Sequence, residues 1–161
     1  MVAHAWTVTY AGAMLAIIVE FLAFLGLFFI FSPMLAFGAI IAAEVSAKLA
    51  MVTIVWIGKP THKGLGSIFL AKAKKKINLI AYGLSVLIVY PFFAYVLSPL
   101  LGLIGVAVVL MSIPVGLVME KISERVFGGV SGDTIGATNE VARAVTLILL
   151  AAVFAILAVL K

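Results

Sequence analysis

The residues from Gly128 to Glu140, Gly-Gly-Val-Ser-Gly-Asp-Thr-Ile-Gly-Ala-Thr-Asn-Glu, are the part of the chain whose types suit chemistry best. Four of these 13 positions are glycine, and the stretch runs into the last apolar segment. A helix beginning near Asp133 places Gly136, Ala137 and Glu140 after it on one face. The two carboxylates then flank a patch with almost no side chain, their Cα atoms roughly 10 Å apart at 1.5 Å per residue. That is too far for both to grip one metal ion directly. It leaves room for a phosphate–magnesium unit over Gly136 and Ala137, since magnesium takes one or two carboxylates with phosphate oxygens and water. The helix N-terminus and the glycine-rich turn supply backbone N–H groups for an anion. Simpler readings of the same residues stand beside this one. Asp133 is a suitable N-cap, Glu140 and Arg143 have the spacing of an i,i+3 pair, and Gly136 with Ala137 suits close helix packing.

A second polar stretch, Gly58 to Lys76, carries six lysines. Near a bilayer each attracts anionic headgroups by about 1 kcal/mol, which accounts for Lys72, Lys74, Lys75 and Lys76. Its first half has glycines at 58, 64 and 66, which allow close backbone approach to a ligand, with Lys59 and Lys63 beside them as candidate phosphate contacts. It is not a P-loop, because the glycine spacing and the Lys-Ser/Thr pair are absent. Charges also interrupt the apolar segments. Glu20 and Glu44 fall near the middle of the first two, and Lys48 follows Glu44 by one helical turn. An ionised side chain at the bilayer centre costs about 3 kcal/mol on insertion scales, so these residues are expected to face the bundle interior. They read either as a ligand or proton pathway or as a structural Glu44–Lys48 pair.

The elements that position these residues are membrane helices. Of the 161 residues 66% are hydrophobic, 11% are charged, and the mean hydropathy is +1.36; a soluble domain is far less apolar and about twice as charged. One compact membrane domain over 1–161 is expected, all-α, a multi-pass transmembrane bundle. A span needs roughly 20 apolar residues. Five stretches qualify: Ala11 to Phe31, Met34 to Ile57, Ile77 to Leu97, Leu100 to Met119 and Ala144 to Leu160. Ser32-Pro33 and Ser98-Pro99 form two tight connections, proline suiting the first turn of a helix. Their similar neighbourhoods form a faint internal echo. The other two connections, Gly58 to Lys76 and Glu120 to Arg143, are long and polar. Alternation places both, with the N-terminus, on one side. That side receives Lys59, Lys63, Lys72, Lys74, Lys75, Lys76, Lys121, Arg125 and Arg143, so the positive-inside rule makes it cytoplasmic. The expected location is the cell membrane. The first apolar run is long and lacks a basic leader, so it reads as a retained helix. With no cysteine and only His4 and His62 as histidines, thiolate chemistry is excluded and a histidine metal site is not expected.

The stretch from Gly128 to Glu140 resembles the C-terminal signature of the cobalamin synthase family, adenosylcobinamide-GDP ribazoletransferase. That signature has Gly-Gly, a pair of small residues, Gly-Asp, Gly-Ala and Asn-Glu just before a last span. Gly64-Leu65-Gly66 resembles a further family segment. The resemblance implies a multi-pass membrane transferase that uses magnesium to join adenosylcobinamide-GDP to α-ribazole or its 5′-phosphate, releasing GMP. It implies Asp133 and Glu140 as catalytic and metal- or substrate-binding residues. Asn139 becomes a polar contact, and Gly128, Gly129, Ser131, Gly132 and Thr134 become substrate contacts. The implied partners are the corrinoid nucleotide, the ribazole, membrane lipid, and a partner chain or N-terminal half; no nucleic acid is expected. The departure is the family's aspartate-rich motif, Asp-Gly-x-x-Asp-x-x-Asp-Gly. This chain has one aspartate, Asp133, so the resemblance covers only the family's C-terminal half or two thirds. A small proton-coupled transporter using Glu20 and Glu44, or a non-catalytic membrane subunit, are the rival readings.

Overall fold

The computed structural model describes residues 2–61, 65–73 and 76–159. Among them the chain is helical with no strand. The helices are α1 (Val2–Ile30), α2 (Pro33–Ile57), a short α3 (Leu65–Ala73), α4 (Leu79–Val96), α5 (Pro99–Leu110), α6 (Ser112–Phe127) and α7 (Gly132–Val159). A 3-10 turn, Lys76–Asn78, leads into α4.

Both Ser-Pro connections form as the sequence predicts. Ser32 accepts a hydrogen bond from the Leu35 N–H at 3.4 Å, and Ser98 from the Leu101 N–H at 3.3 Å, each with proline opening the next helix. Serine satisfies a first-turn donor, and proline lacks the N–H that would be an orphan there. These caps let α1 turn into α2, and α4 into α5, with almost no loop.

Four segments are long and apolar enough to cross a membrane: α2, α4, Pro99–Phe127 and α7. The apolar stretch Ile17–Ile30 of α1 is shorter. Three boundaries differ from expectation. The fourth span does not end at Met119 but continues to Phe127, with a break at Met111 between α5 and α6. Pro114 explains the break, since it has no N–H for the carbonyl of Leu110 and its ring crowds that position. The last helix begins at Gly132, one residue from the start expected near Asp133, and runs unbroken into the apolar span read from Ala144, with Thr134, Thr138 and Asn139 buried on one face of its first turns. The polar connection from Glu120 to Arg143 thus shrinks to Gly128–Ser131. The basic connection also contains the helix α3.

The core is built on α2, which packs on α7, α6, α4 and α1. Its buried face is largely small: Ala36, Ala39, Ala42, Ala43, Ser46, Ala47 and Ala50. In lipid, association relies on close backbone approach and interhelical hydrogen bonds more than on apolar burial. Both occur here. Thr146 of α7 donates to Ser46 at 2.5 Å, and Thr53 of α2 lies 2.9 Å from the Tyr82 hydroxyl of α4. Gly116 of α6 lies so near α2 that a Cβ there would sit 2.9 Å from Thr53 Cβ and 3.0 Å from the Ala50 carbonyl.

Candidate functional site

The two polar stretches, read separately in the sequence, meet in space. Pro60 and Val130 form an isolated parallel bridge. The Val130 N–H donates to the Lys59 carbonyl at 2.6 Å, and the Thr61 N–H to the Val130 carbonyl at 3.3 Å. Two glycines permit this. Gly128 ends α6 at φ +73° and its N–H donates to the Glu124 carbonyl. Gly129 follows at φ +153°, and a Cβ on it would lie 2.6 Å from the Lys59 carbonyl. A positive φ and a backbone passing at contact distance both require glycine.

Immediately after the bridge, Ser131 and Thr134 cap α7 reciprocally. The Thr134 N–H donates to Ser131 Oγ at 3.3 Å, and the Ser131 N–H to Thr134 Oγ1 at 2.8 Å. This is the capping-box arrangement with threonine in the third-residue role. Asp133 is therefore not the cap. Its carboxylate is exposed and, among the described residues, makes no hydrogen bond or ion pair. It lines an open cleft of about 490 Å³ with Thr61, Phe127, Ser131, Thr134 and Ala137. Cβ atoms built on Gly132 and Gly136 would meet nothing within 4 Å. Among the described residues no helix packs there, so the small residues leave an open face rather than a packing seam. The first-turn amides of a helix have no intrahelical acceptor, and here they border that face.

Glu140 lies elsewhere in function, though on the same helix. Arg143 Nη1 donates to Glu140 Oε2 at 2.5 Å and to both oxygens of Glu20, at 2.9 and 3.0 Å. Its Nε lies 2.7 Å from Glu44 Oε1, an ion pair by distance although that N–H is not aimed for a hydrogen bond. Asn139, buried, donates to Glu140 Oε1 at 2.7 Å and accepts from Lys48 at 3.0 Å. Lys48 and Glu44 are 4.0 Å apart. One guanidinium, 17% exposed, thus ties carboxylates from α1, α2 and α7 into one cluster. The Glu44–Lys48 pair read from spacing is present but is the loosest contact in it. Glu20, without a local partner in sequence, has one 123 residues away.

The sequence candidates thus separate. Asp133, Ser131 and Thr134 line the cleft; Gly128 and Gly129 shape its turn, and Gly132 borders its open face. Asn139 and Glu140 belong to the ion cluster. Lys59 gives its carbonyl to the bridge and its ammonium, exposed, sits 3.8 Å from Glu124. Lys63 lies outside the described residues. Thr61 and Arg143 were missed as site residues. Nothing in the sequence marks Thr61, whereas an arginine eleven positions into a membrane helix is a signal by its cost alone.

The residues fit magnesium only in part. Among the described residues no group of three or more His, Cys, Asp or Glu gathers to hold a metal ion. Both oxygens of Glu140 are already hydrogen-bonded. Asp133 is a free carboxylate beside an open cleft, suited to an ion that takes its remaining ligands from phosphate and water.

A helical membrane bundle with a glycine-shaped, anion-suited cleft at one end of its last helix defines the class. Within it, the family model for cobalamin-5-phosphate synthase matches residues 8–151, and the chain belongs to that family. It is 36% identical over 154 residues to the adenosylcobinamide-GDP ribazoletransferase of Methanocella arvoryzae, covering 89% of this chain and 57% of that one. It is 37% identical over 126 residues to the enzyme of that name from Methanosarcina mazei, covering 74% and 42%. The Pyrococcus furiosus enzyme of that name is 35% identical over 117 residues, covering 71% and 47%. The chain spans about half the length of the curated relatives it matches. No solved structure matches it.

Proposed function

We propose that this chain forms part of an adenosylcobinamide-GDP ribazoletransferase and acts with a further portion of that enzyme, on the same polypeptide or a partner. In this reaction the ribazole hydroxyl forms an O–P bond at the phosphate on the corrinoid side chain, and the bond from that phosphorus to the GMP oxygen breaks. Phosphoryl transfer of this kind is mostly positioning and charge neutralisation. The observation that carries the reading is the unpartnered Asp133 carboxylate on an open cleft, at the end of a helix within the family match.

The cleft divides the work between backbone and side chain. First-turn amides of α7 hold phosphate oxygens. The bridged turn fixes where those amides point. Asp133 would hold magnesium, whose charge when bound would offset that of the phosphates. The further portion supplies the remaining carboxylates that this chain, with one aspartate, does not carry. Lys59 lies at the same end of the bundle, and its charge, with that of Lys63 four residues on in the sequence, suits an anionic substrate. The basic residues Lys59, Lys72, Lys76, Lys121 and Arg125 flank that end, which we place in the cytoplasm.

The test is GMP release from adenosylcobinamide-GDP with α-ribazole, using this chain co-expressed with the unmatched portion of the Methanocella arvoryzae relative. Asp133→Ala is expected to lower the rate on the order of a hundredfold, the scale for removing one preorganised electrostatic group, with the bundle still folded. Unchanged release by that variant would remove Asp133 from the reaction. No observation favours the transporter reading, since Arg143 holds both Glu20 and Glu44.

A further inference from the structure

Among the described residues the ion cluster carries unequal formal charge. It holds three carboxylates, Glu20, Glu44 and Glu140, against two cations, Arg143 and Lys48, leaving one negative charge in excess. Its inner members are covered, but the Glu44 side chain is 47% exposed and that of Lys48 63%. Glu44 lies about 16 Å from one end of α2 and 20 Å from the other at 1.5 Å per residue, the middle of a membrane span. Charged groups at that depth face the bundle interior or a partner, not lipid. Around them α2 and α4 form a groove of about 300 Å³ lined by Glu44, Lys48, Val52, Ala81, Leu84 and Ile88. A second cavity of about 310 Å³ opens on the other side of Glu44, lined by Glu20, Phe24, Ile40 and Arg143. Glu44 thus stands on a ridge with apolar walls to either side.

We propose that a membrane-spanning helix outside this chain docks in the α2–α4 groove and brings a basic side chain against Glu44. Three observations select this occupant. The surplus negative charge calls for a cation. The groove's apolar walls run along a helix pair and suit another helix. The matched segment covers 57% of the Methanocella arvoryzae relative and 42% of that from Methanosarcina mazei, so further chain is there to supply it. This rests on the family reading for the source of the helix, not on catalysis. The docked helix neutralises the cluster and covers Lys48, and through Asn139 and Glu140 it bears on α7 below Asp133.

The chain has no cysteine, so single cysteines carrying a nitroxide report lipid contact cleanly. Labels at Leu84 and Ile88 line the groove; a label at Leu87, exposed on α4 and outside it, is the control. Collision with oxygen dissolved in the bilayer is measured for this chain alone and co-expressed with the unmatched portion of the Methanocella arvoryzae relative. Co-expression is expected to lower the rate severalfold at Leu84 and Ile88 and leave Leu87 unchanged. Glu44→Lys should abolish that protection. If that variant does not fold, Leu84→Trp fills the groove without touching the charges and should abolish protection of the Ile88 label. Replacing the mid-span basic residues of the added portion by leucine should weaken it. Equal exposure with and without that portion, or full protection of the Glu44→Lys chain, overturns the proposal. So does an added portion with no basic residue in any span. Protection that rises with the density of this chain alone assigns the groove to a second copy and overturns it as well. The readout is independent of turnover: docking without GMP release would count against the catalytic reading alone, and GMP release without docking against this one.

Discussion

Gly129 carries two constraints at once, a positive φ and a carbonyl 2.6 Å from where its Cβ would be. Gly129→Ala must relieve both by moving the Lys59 backbone, which the Val130 bond holds. The expected loss is about 2 kcal/mol, in the range for a strained backbone position, read as a lower unfolding midpoint in detergent. Arg143 is the other decisive residue. Arg143→Gln leaves three carboxylates inside the bundle with Lys48 alone. Breaking a buried pair by removing one partner costs about 3 kcal/mol or more, so this variant is expected to unfold far earlier than wild type in an SDS titration. Adding Glu140→Gln and Glu20→Gln to it should restore part of the loss, because two of the stranded charges are gone. Absence of rescue would mean that Arg143 acts through packing rather than charge.

At the scale of the element, α7 is two devices in one helix. Its first turns present an open small-residue face to the cleft, and its middle holds the ion cluster. Two glycines distinguish close packing from ligand space. Gly116→Ala on α6 drives a methyl group against Thr53 and the Ala50 carbonyl and should destabilise the bundle. Gly136→Ala meets nothing, and alanine is the better helix former by about 1 kcal/mol, so stability should hold or rise. If substrate lies over Gly136, the same variant lowers GMP release while the unfolding midpoint does not fall. A variant that lowers neither would move the substrate off this face.

For the whole molecule, the alternation of tight and polar connections is the organising fact. It sends the bridged pair of turns to one end of the bundle together with the basic residues. The proposed sidedness rests on their charge. Single cysteines at Lys72 and Lys121 are expected to react with an impermeant maleimide only in inside-out vesicles, and one at Ser98 only in right-side-out vesicles. The reverse pattern would invert the topology and put the cleft outside the cell.

The spans, the two Ser-Pro hairpins and the likeness of Gly128 to Glu140 to its family were all legible along the chain, because hydropathy, capping and a motif are local properties. Boundaries were less so. The connection read as long and polar from Glu120 to Arg143 is mostly helix, and Thr134, Thr138 and Asn139 within it are buried although their polarity suggests water. Only the tertiary structure decided which polar groups share a site. It joined Gly58–Thr61 to Gly128–Ser131 through a bridge spanning 70 positions, gave the cap of α7 to Ser131 and so left Asp133 unpartnered, and drew Glu140 away to Arg143. Those outcomes depend on which helices lie side by side, and contacts between residues far apart in sequence leave no trace in local spacing.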